Sequence, residues 1–449
     1  MRNGGNAVDA AVAAALVLYV VEPHACGPGG DAFLICVAPG RQPVALDGSG
    51  SLPLGLSTAA LAADGLTEVP GRGARSATTP GAMALLEDAL ARFGTRLLAD
   101  LMGPAIELAR DGFQVRRTLA ATSARATAEL VADPVLGPLY APEGRARVEG
   151  EWIMNPALAE CLLAIASGGA RVLYDGALGA AIAARVAAGG GYLRRDDLLA
   201  HATIERAPVS TGFRRAMVWE LPAPTQGPAV VEALRLLDAT EAMPAWSKVV
   251  DAVGTGMAHA GFDLTAMGAR PTPARGDTTY IAAIDGDGLG ASLITSVFGD
   301  FGSYFGIPEL GGPMGNRAAM LRALHRAPEP GAKPPHTTIP AAVTKDGQLA
   351  YVLGVAGGFM QAQAQVQILV HLLERGLDPQ AAIDEPRFKI LLGGEVALEA
   401  GHPLAASLPD AANRSPGQEG FGAAQVVGWH HGMLMGGADA RRGGAVEIA

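Results

Sequence analysis

The chain has 449 residues, of which 49% are hydrophobic and 17% charged, enough apolar material for a large core and too little charge for a disordered polymer. Its formal net charge of -10, with no block of Lys and Arg, argues against a nucleic-acid partner, because that affinity rests on cationic neutralisation of phosphates. Cys26, Cys36 and Cys161 are too few, and wrongly spaced, for a disulfide framework or a metal site.

Residues 8–21 form the most apolar early run, but Asp9 interrupts it and it falls short of the roughly 20 residues that cross a bilayer. A helix of a water-soluble, cytoplasmic protein is expected there, with no membrane partner. Alanine-rich stretches with charges at helical spacing follow at 83–93, 105–111 and 157–166, so the first half reads as mainly helical. Gly27-Pro28-Gly29-Gly30 lacks the Gly-Lys-Ser/Thr ending of a phosphate cradle and reads as a packed turn.

Residues 267–276 carry Pro271, Pro273 and Gly276, a breaker-rich connector suited to an exposed processing loop. The texture then changes. Residues 279–284 and 290–297, joined by Asp285-Gly286-Asp287-Gly288, predict a β-hairpin, and 339–343 and 349–355, joined by the turn Thr344-Lys345-Asp346-Gly347, predict another. A helix over 361–374 should follow. Glycine and proline are frequent but aperiodic, so no repeat architecture is expected.

Several blocks, taken together and in order, resemble the γ-glutamyltranspeptidase family across nearly the whole chain. They are the Gly-Gly-Asn-Ala-Val-Asp-Ala-Ala run from Gly4, Glu22-Pro23-His24 with the glycine turn at 27–30, and Gly276-Asp277-Thr278-Thr279-Tyr280 followed by Phe301-Gly302-Ser303. Gly354-Val355-Ala356-Gly357-Gly358, Asp384-Glu385-Pro386-Arg387-Phe388 and Gly437-Ala438-Asp439 with Arg441 complete the series. The resemblance implies a four-layer αββα fold, two stacked antiparallel sheets between helical layers, of the N-terminal-nucleophile hydrolase type.

It also implies self-cleavage between Asp277 and Thr278, giving a large, mainly helical subunit, 1–277, and a small subunit, 278–449, intertwined in one structural domain. Family members usually carry a further strand-bearing segment upstream of the Gly-Gly-Asn-Ala-Val-Asp block, so the start of the chain is read as shortened or misassigned. A pair of such two-part molecules is a further expectation. Thr278 would then be both new N-terminus and nucleophile. A hydroxyl needs a base to take its proton, and a terminal amine with a pKa near about 8 can serve. The resemblance places Ser296 beside the catalytic threonine and assigns the oxyanion hole to the backbone N–H groups of Gly357 and Gly358, where glycine permits close approach.

The chain departs from the glutathione-cleaving members at the substrate. Their α-carboxylate-binding arginine is replaced by Ser49, which cannot imitate a planar guanidinium fork. An acidic residue that holds the substrate amine is replaced within Gly315-Asn316-Arg317-Ala318-Ala319, and their paired serines map onto His336 and Thr337. These changes resemble the branch containing oxamate amidohydrolase and acylases. Arg317 reads either as a contact for a substrate carboxylate or as a structural arginine, and His336 either as a substrate contact or as a satisfied loop histidine. His430-His431 lacks a spaced acidic or cysteine partner, so neither metal nor cofactor is implied.

The function expected is hydrolysis of a small amide or acyl-amide through a Thr278 acyl-enzyme. The alternatives are a γ-glutamyltransferase or glutathione hydrolase, and an unprocessed, non-catalytic family member.

Overall fold

A computed structural model of the chain describes all residues except 2–3, 240–242, 268–275, 409–410, 412, 415–419 and 449, with the backbone alone at 276–277 and 413–414. Most of the expected processing connector therefore lies outside the described residues.

Helix α1 (Ala7–Val21) begins on a capping box: the Asn6 side chain accepts from the N–H groups of Val8 and Asp9, and Asp9 accepts from the Asn6 N–H at 2.8 Å. Asp9, the residue that breaks the apolar run, also accepts from the backbone and hydroxyl of Thr95. The charge is thus part of the helix's start. Among the described residues, no helix is long and apolar enough to cross a membrane.

Two antiparallel sheets carry the architecture. The first contains β1 (Asp31–Val37), β2 (Val44–Gly48) and β3 (Ile204–Arg206) together with β6 (Gly276–Ile284) and β7 (Gly290–Gly299), in the order β3-β2-β1-β7-β6. The second contains β4 (Val209–Phe213), β5 (Ala216–Glu220), β8 (Pro340–Lys345), β9 (Gln348–Ala356), β10 (Ala423–His430) and β11 (Met433–Ala438), in the order β11-β10-β9-β8-β5-β4. Each sheet mixes strands from both sides of residue 278.

The predicted hairpins are β6–β7 and β8–β9. In the first turn, the Asp285 carboxylate accepts from the N–H groups of Asp287 and Leu289, while its other oxygen accepts from the Ala7 N–H at 3.0 Å, at the head of α1. The second turn is tighter than its sequence suggests. Asp346 and Gly347 both have positive φ, 49° and 75°, and Lys345 pairs with Gln348, a two-residue connection of the kind that matches strand twist.

An apolar layer fills the space between the sheets, with Phe33, Ile35, Tyr280, Ile294, Ala342 and Val352 at its centre. The Tyr280 ring lies on bare backbone: a Cβ at Gly354 would sit 2.3 Å from its Cδ2. Tyr280 Oη pairs with Ser292 Oγ at 2.8 Å, and Ser292 in turn donates to the Ala341 carbonyl of the opposite sheet at 2.9 Å. Larger cores flank this layer. α1, α2 (Ala82–Phe93), α3 (Gly103–Asp111) and α4 (Pro156–Gly168) contribute to the core that takes in the first sheet's outer face. α5 (Gly227–Asp238), α6 (Trp246–His259) and α7 (Met360–Leu369) contribute to the one that takes in the second sheet's. This is the αββα sandwich that the resemblance implies.

Helix α7 explains an odd stretch of sequence. Gln361, Gln363, Gln365 and Gln367 alternate with apolar residues, a strand-like period, and all four are buried. Their amides bond the backbone of neighbouring strands: Gln361 and Gln365 take the N–H and C=O of Ile339, Gln363 takes both backbone groups of Ile390, and Gln367 both of Phe388. Gln363 and Gln367, paired at both amide ends, escape the cost of desolvation, while Gln365 Oε1 has no donor among the described residues. The expected helix to 374 ends earlier, at Leu369, and continues as one wider turn, Val370–Glu374.

The motifs around Arg387 and Asp439 meet in a buried ionic network. Arg387 donates to Asp439 at 2.8 Å and to the carbonyls of Phe421 and Gly422, while Arg441 joins Asp439 to Glu399. Burial alone would push the Asp439 carboxyl up, but Arg387 and Arg441 bring it below the usual range. Removing one partner of such a network leaves an uncompensated buried charge, so Arg387→Ala should lower unfolding stability by about 3–5 kcal/mol. Denaturant titration measures this, and a loss under about 1 kcal/mol would refute it.

Candidate active site

Thr278 stands near the start of β6 where the ladder slips. Asp277 pairs with Phe298 and Thr279 with Thr295, so Ser296 and Val297 together oppose Thr278 in a bulge. Bulges re-aim side chains, and two residues further along the same face Tyr280 packs between the sheets. Thr278 is 7% exposed. Its Oγ lies 3.4 Å from Ser296 Oγ and 3.4 Å from the Nε2 of Gln361, contacts at the long edge of hydrogen bonding. Ser296 Oγ also accepts from the Phe298 N–H at 2.9 Å.

Gly357 and Gly358 link the end of β9 to α7. Their φ angles, 140° and 58°, fall where side chains are disfavoured, and a Cβ at Gly357 would come within 3.0 Å of the Gly422 Cα. The Gly357 carbonyl accepts from Met360 and the Gly358 carbonyl from Gln361, which bends the chain into the helix at once. Gln361, whose side chain touches Thr278 Oγ, therefore follows the glycine pair by only three residues. The Arg387 network holds the Phe421–Gly422 backbone behind it.

Arg317 approaches from the other side. Its guanidinium carbon lies 4.3 Å over the Phe298 ring, Phe298 having the unusual φ of 78°, and its Nη2 donates to Thr338 Oγ at 3.1 Å. Thr338 precedes Ile339, the residue bonded to Gln361, so two short chains of contact connect Arg317 to Thr278. Asp31 supplies the counter-charge, with Oδ2 at 3.5 Å from Arg317 Nε and Oδ1 accepting from the Gly50 N–H. Burial outweighs this pairing: it pushes the Asp31 carboxyl up to about 6 and Arg317 down to about 10. Among the described residues, Arg317 Nε and Nη1 have no hydrogen-bond acceptor.

The remaining candidates sit further out. Ser49 is buried with its hydroxyl and N–H both committed to Asp47 Oδ1, at 2.6 and 2.9 Å, and its carbonyl accepts from Lys333. Its link to Arg317 runs through Gly50 and Asp31. His336 packs edge-on against Phe33, with ring centroids 4.9 Å apart, and its backbone N–H donates to Pro224. Burial, then Arg317 and Lys333, hold its imidazole well below the ordinary range, so the ring is neutral, and both ring nitrogens lack partners among the described residues. Thr337 is buried between His336 and Thr338.

The glycine turn at 27–30 is packed as expected: a Cβ at Gly30 would meet the Ser296 carbonyl at 2.5 Å, and one at Gly29 the Pro313 carbonyl at 2.4 Å. His430 lies against His431 and pairs with Tyr351 Oη through Nδ1 at 3.3 Å. Gln361, Thr338 and Asp31 were not singled out from sequence. A glutamine in an alternating run and a second threonine in a Thr-Thr pair carry no directional signal until the fold is known.

Comparison with known proteins agrees with this arrangement. The family model for γ-glutamyltranspeptidase matches residues 1–261 and 256–449. The glutathione hydrolase-like YwrD proenzyme of Bacillus subtilis is 32% identical, over 86% of this chain and 81% of that protein. The oxamate amidohydrolase proenzyme of Klebsiella pneumoniae is 30% identical, over 88% and 82%. Among solved structures, cephalosporin acylase from Bacillus halodurans superposes with a TM-score of 0.90 at 30% identity, over 99% of this chain and 92% of that one. With sequence blocks, sandwich and whole-chain matches in agreement, the chain belongs to the γ-glutamyltranspeptidase family and is one of its N-terminal-nucleophile enzymes of amide-bond hydrolysis and transfer.

Proposed function

We propose that the chain is a self-cleaving amidohydrolase that works on a small amide or acyl-amide through an ester at Thr278. The observation that carries this reading is the position of Thr278 Oγ, in a ladder bulge, between Ser296 Oγ and Gln361, the residue three beyond the Gly357-Gly358 turn. The proenzyme names of the two relatives support it.

In the precursor, Thr278 Oγ attacks the Asp277 carbonyl carbon. The peptide C–N bond breaks, the nitrogen takes the hydroxyl proton, and Asp277 is left as an ester on Oγ. Water hydrolyses that ester, which frees a carboxylate on residues 1–277 and an amine on residues 278–449. In turnover that amine takes the Thr278 proton as Oγ attacks the substrate carbonyl, while the N–H groups of Gly357 and Gly358 stabilise the oxyanion. The amine then protonates the departing nitrogen and activates water to release the acid. Ser296 holds the Thr278 hydroxyl throughout.

Arg317 is the group we assign to a substrate carboxylate, with His336 and Thr337 as neighbouring walls and Ser49 as the place where the glutathione-type clamp is missing. Its unsatisfied nitrogens and its short path to Thr278 favour a compact anionic amide such as oxamate, the substrate named for the Klebsiella relative. A γ-glutamyl substrate is the second reading, favoured by the name of the Bacillus relative.

Thr278→Ala should leave one full-length band on denaturing electrophoresis, where the parent protein gives two fragments with Thr278 as a new N-terminus. It should also lower turnover by about 10⁴-fold or more. Cleavage or activity surviving the substitution would remove Thr278 from the mechanism, and an uncleaved, inactive parent would establish the non-catalytic alternative.

The Asp31–Arg317 pair makes KM depend on pH. The Asp31 pKa is raised by burial, so the folded protein keeps a proton there between about pH 4 and 6, and the stability this contributes is lost as pH rises through that window. Below about 6 the neutral Asp31 no longer competes for Arg317, so KM for oxamate should fall from pH 7 to pH 5 while KM for a neutral amide stays level. Arg317→Met should raise KM for the anion alone, by about 10- to 100-fold, as loss of charge-assisted bonds implies. Equal effects on both substrates would refute the assignment.

A further inference from the structure

Gln361 sits three residues beyond Gly358, fully buried in the first turn of α7, and its side chain is held at both ends. One end faces the Ile339 N–H at 3.1 Å, the other Thr278 Oγ at 3.4 Å. Chemistry fixes which end is which. A backbone N–H only donates, so the atom facing Ile339 is the amide oxygen and the NH₂ is turned to Thr278. Thr278 Oγ therefore accepts from Gln361, and its own proton is directed to Ser296 Oγ.

On the reading that Thr278 is the nucleophile, we propose that Gln361 is a further catalytic residue, a fixed donor that stabilises negative charge on Thr278 Oγ. That charge builds twice in each cycle: when the proton leaves as Oγ attacks, and again when Oγ departs from the acyl-enzyme. Self-cleavage passes through the same two moments. A donor already locked by Ile339 costs no reorganisation as the charge appears. The 3.4 Å separation is that of a resting site, where such contacts are commonly long and shorten as the reaction proceeds.

The fold supplies its own control. Gln365, one turn along the same helix, grips the other backbone group of Ile339, donating to its carbonyl at 2.8 Å. A role limited to pinning Ile339 would make the two glutamines equivalent. Gln361→Met removes the donor at similar volume, and Gln361→Glu keeps an oxygen for the Ile339 N–H while replacing the NH₂.

The experiment compares both variants with Gln365→Met and Thr278→Ala, following precursor cleavage over time, kcat and KM for the best amide substrate, and thermal unfolding. Both Gln361 variants should slow cleavage and lower kcat by about 10- to 100-fold, with KM within about twofold of the parent. Gln365→Met should keep kcat within about threefold even where its Tm falls. Gln361→Glu at or above parental rates, or Gln365→Met as slow as Gln361→Met, would overturn the proposal. A Thr278→Ala chain that still cleaves would instead overturn the nucleophile assignment beneath it.

Discussion

The Tyr280 ring pressed on the bare backbone of Gly354 sets the spacing on which the site depends. Tyr280 follows Thr278 by two residues, and Gly354 precedes Gly357 by three, so this one stacking contact bears on how far apart the Thr278 strand and the glycine strand lie. Any side chain at position 354 would collide with the ring and push the sheets apart. The Tyr280–Ser292–Ala341 hydrogen bonds then prevent the sheets from sliding, because they tie a side chain of one sheet to the backbone of the other. An apolar layer alone would set a separation but not a register.

Charge is buried on both flanks of the site, and the two flanks differ in kind. Behind the glycine pair, Arg387, Asp439, Arg441 and Glu399 form a continuous ion-pair network that also bonds the backbone, which suits a rigid buttress even though Arg387 Nε lacks an acceptor among the described residues. Beside Phe298, Arg317 and Asp31 are close but incompletely paired. Burial raises the Asp31 pKa although Arg317 pulls it down, so desolvation outweighs pairing there, whereas at Asp439 in the Arg387 network it does not.

Much of the architecture was legible in the sequence because local chemistry and tertiary demand coincide. Asp285-Gly286-Asp287-Gly288 and Asp346-Gly347 announce hairpins, and the apolar run 8–21 announces a helix, though its cap on Asn6 and Asp9 emerges only in the structure. The order of family blocks gave the sandwich. What stayed hidden has a common cause: it depends on which backbone groups meet across the chain. The glutamines of α7 alternate as a strand would, and only the positions of Ile339, Phe388 and Ile390 show why each must be an amide. Ser49 was recognised as a missing arginine, but the commitment of its hydroxyl and N–H to Asp47 has no signature along the chain.

The first sheet joins β1, β2 and β3 to β6 and β7, and the second joins β4 and β5 to β8 through β11. A cut before residue 278 would leave two polypeptides sharing both sheets and the helical layer on the second, with neither owning a complete sheet. Asp285 of one would still cap the helix at residue 7 of the other. Such a nicked molecule keeps its shape only while it stays assembled. Once melted, its halves must find each other by diffusion, so recovery becomes second order in protein and is sensitive to dilution, whereas the intact chain refolds alone.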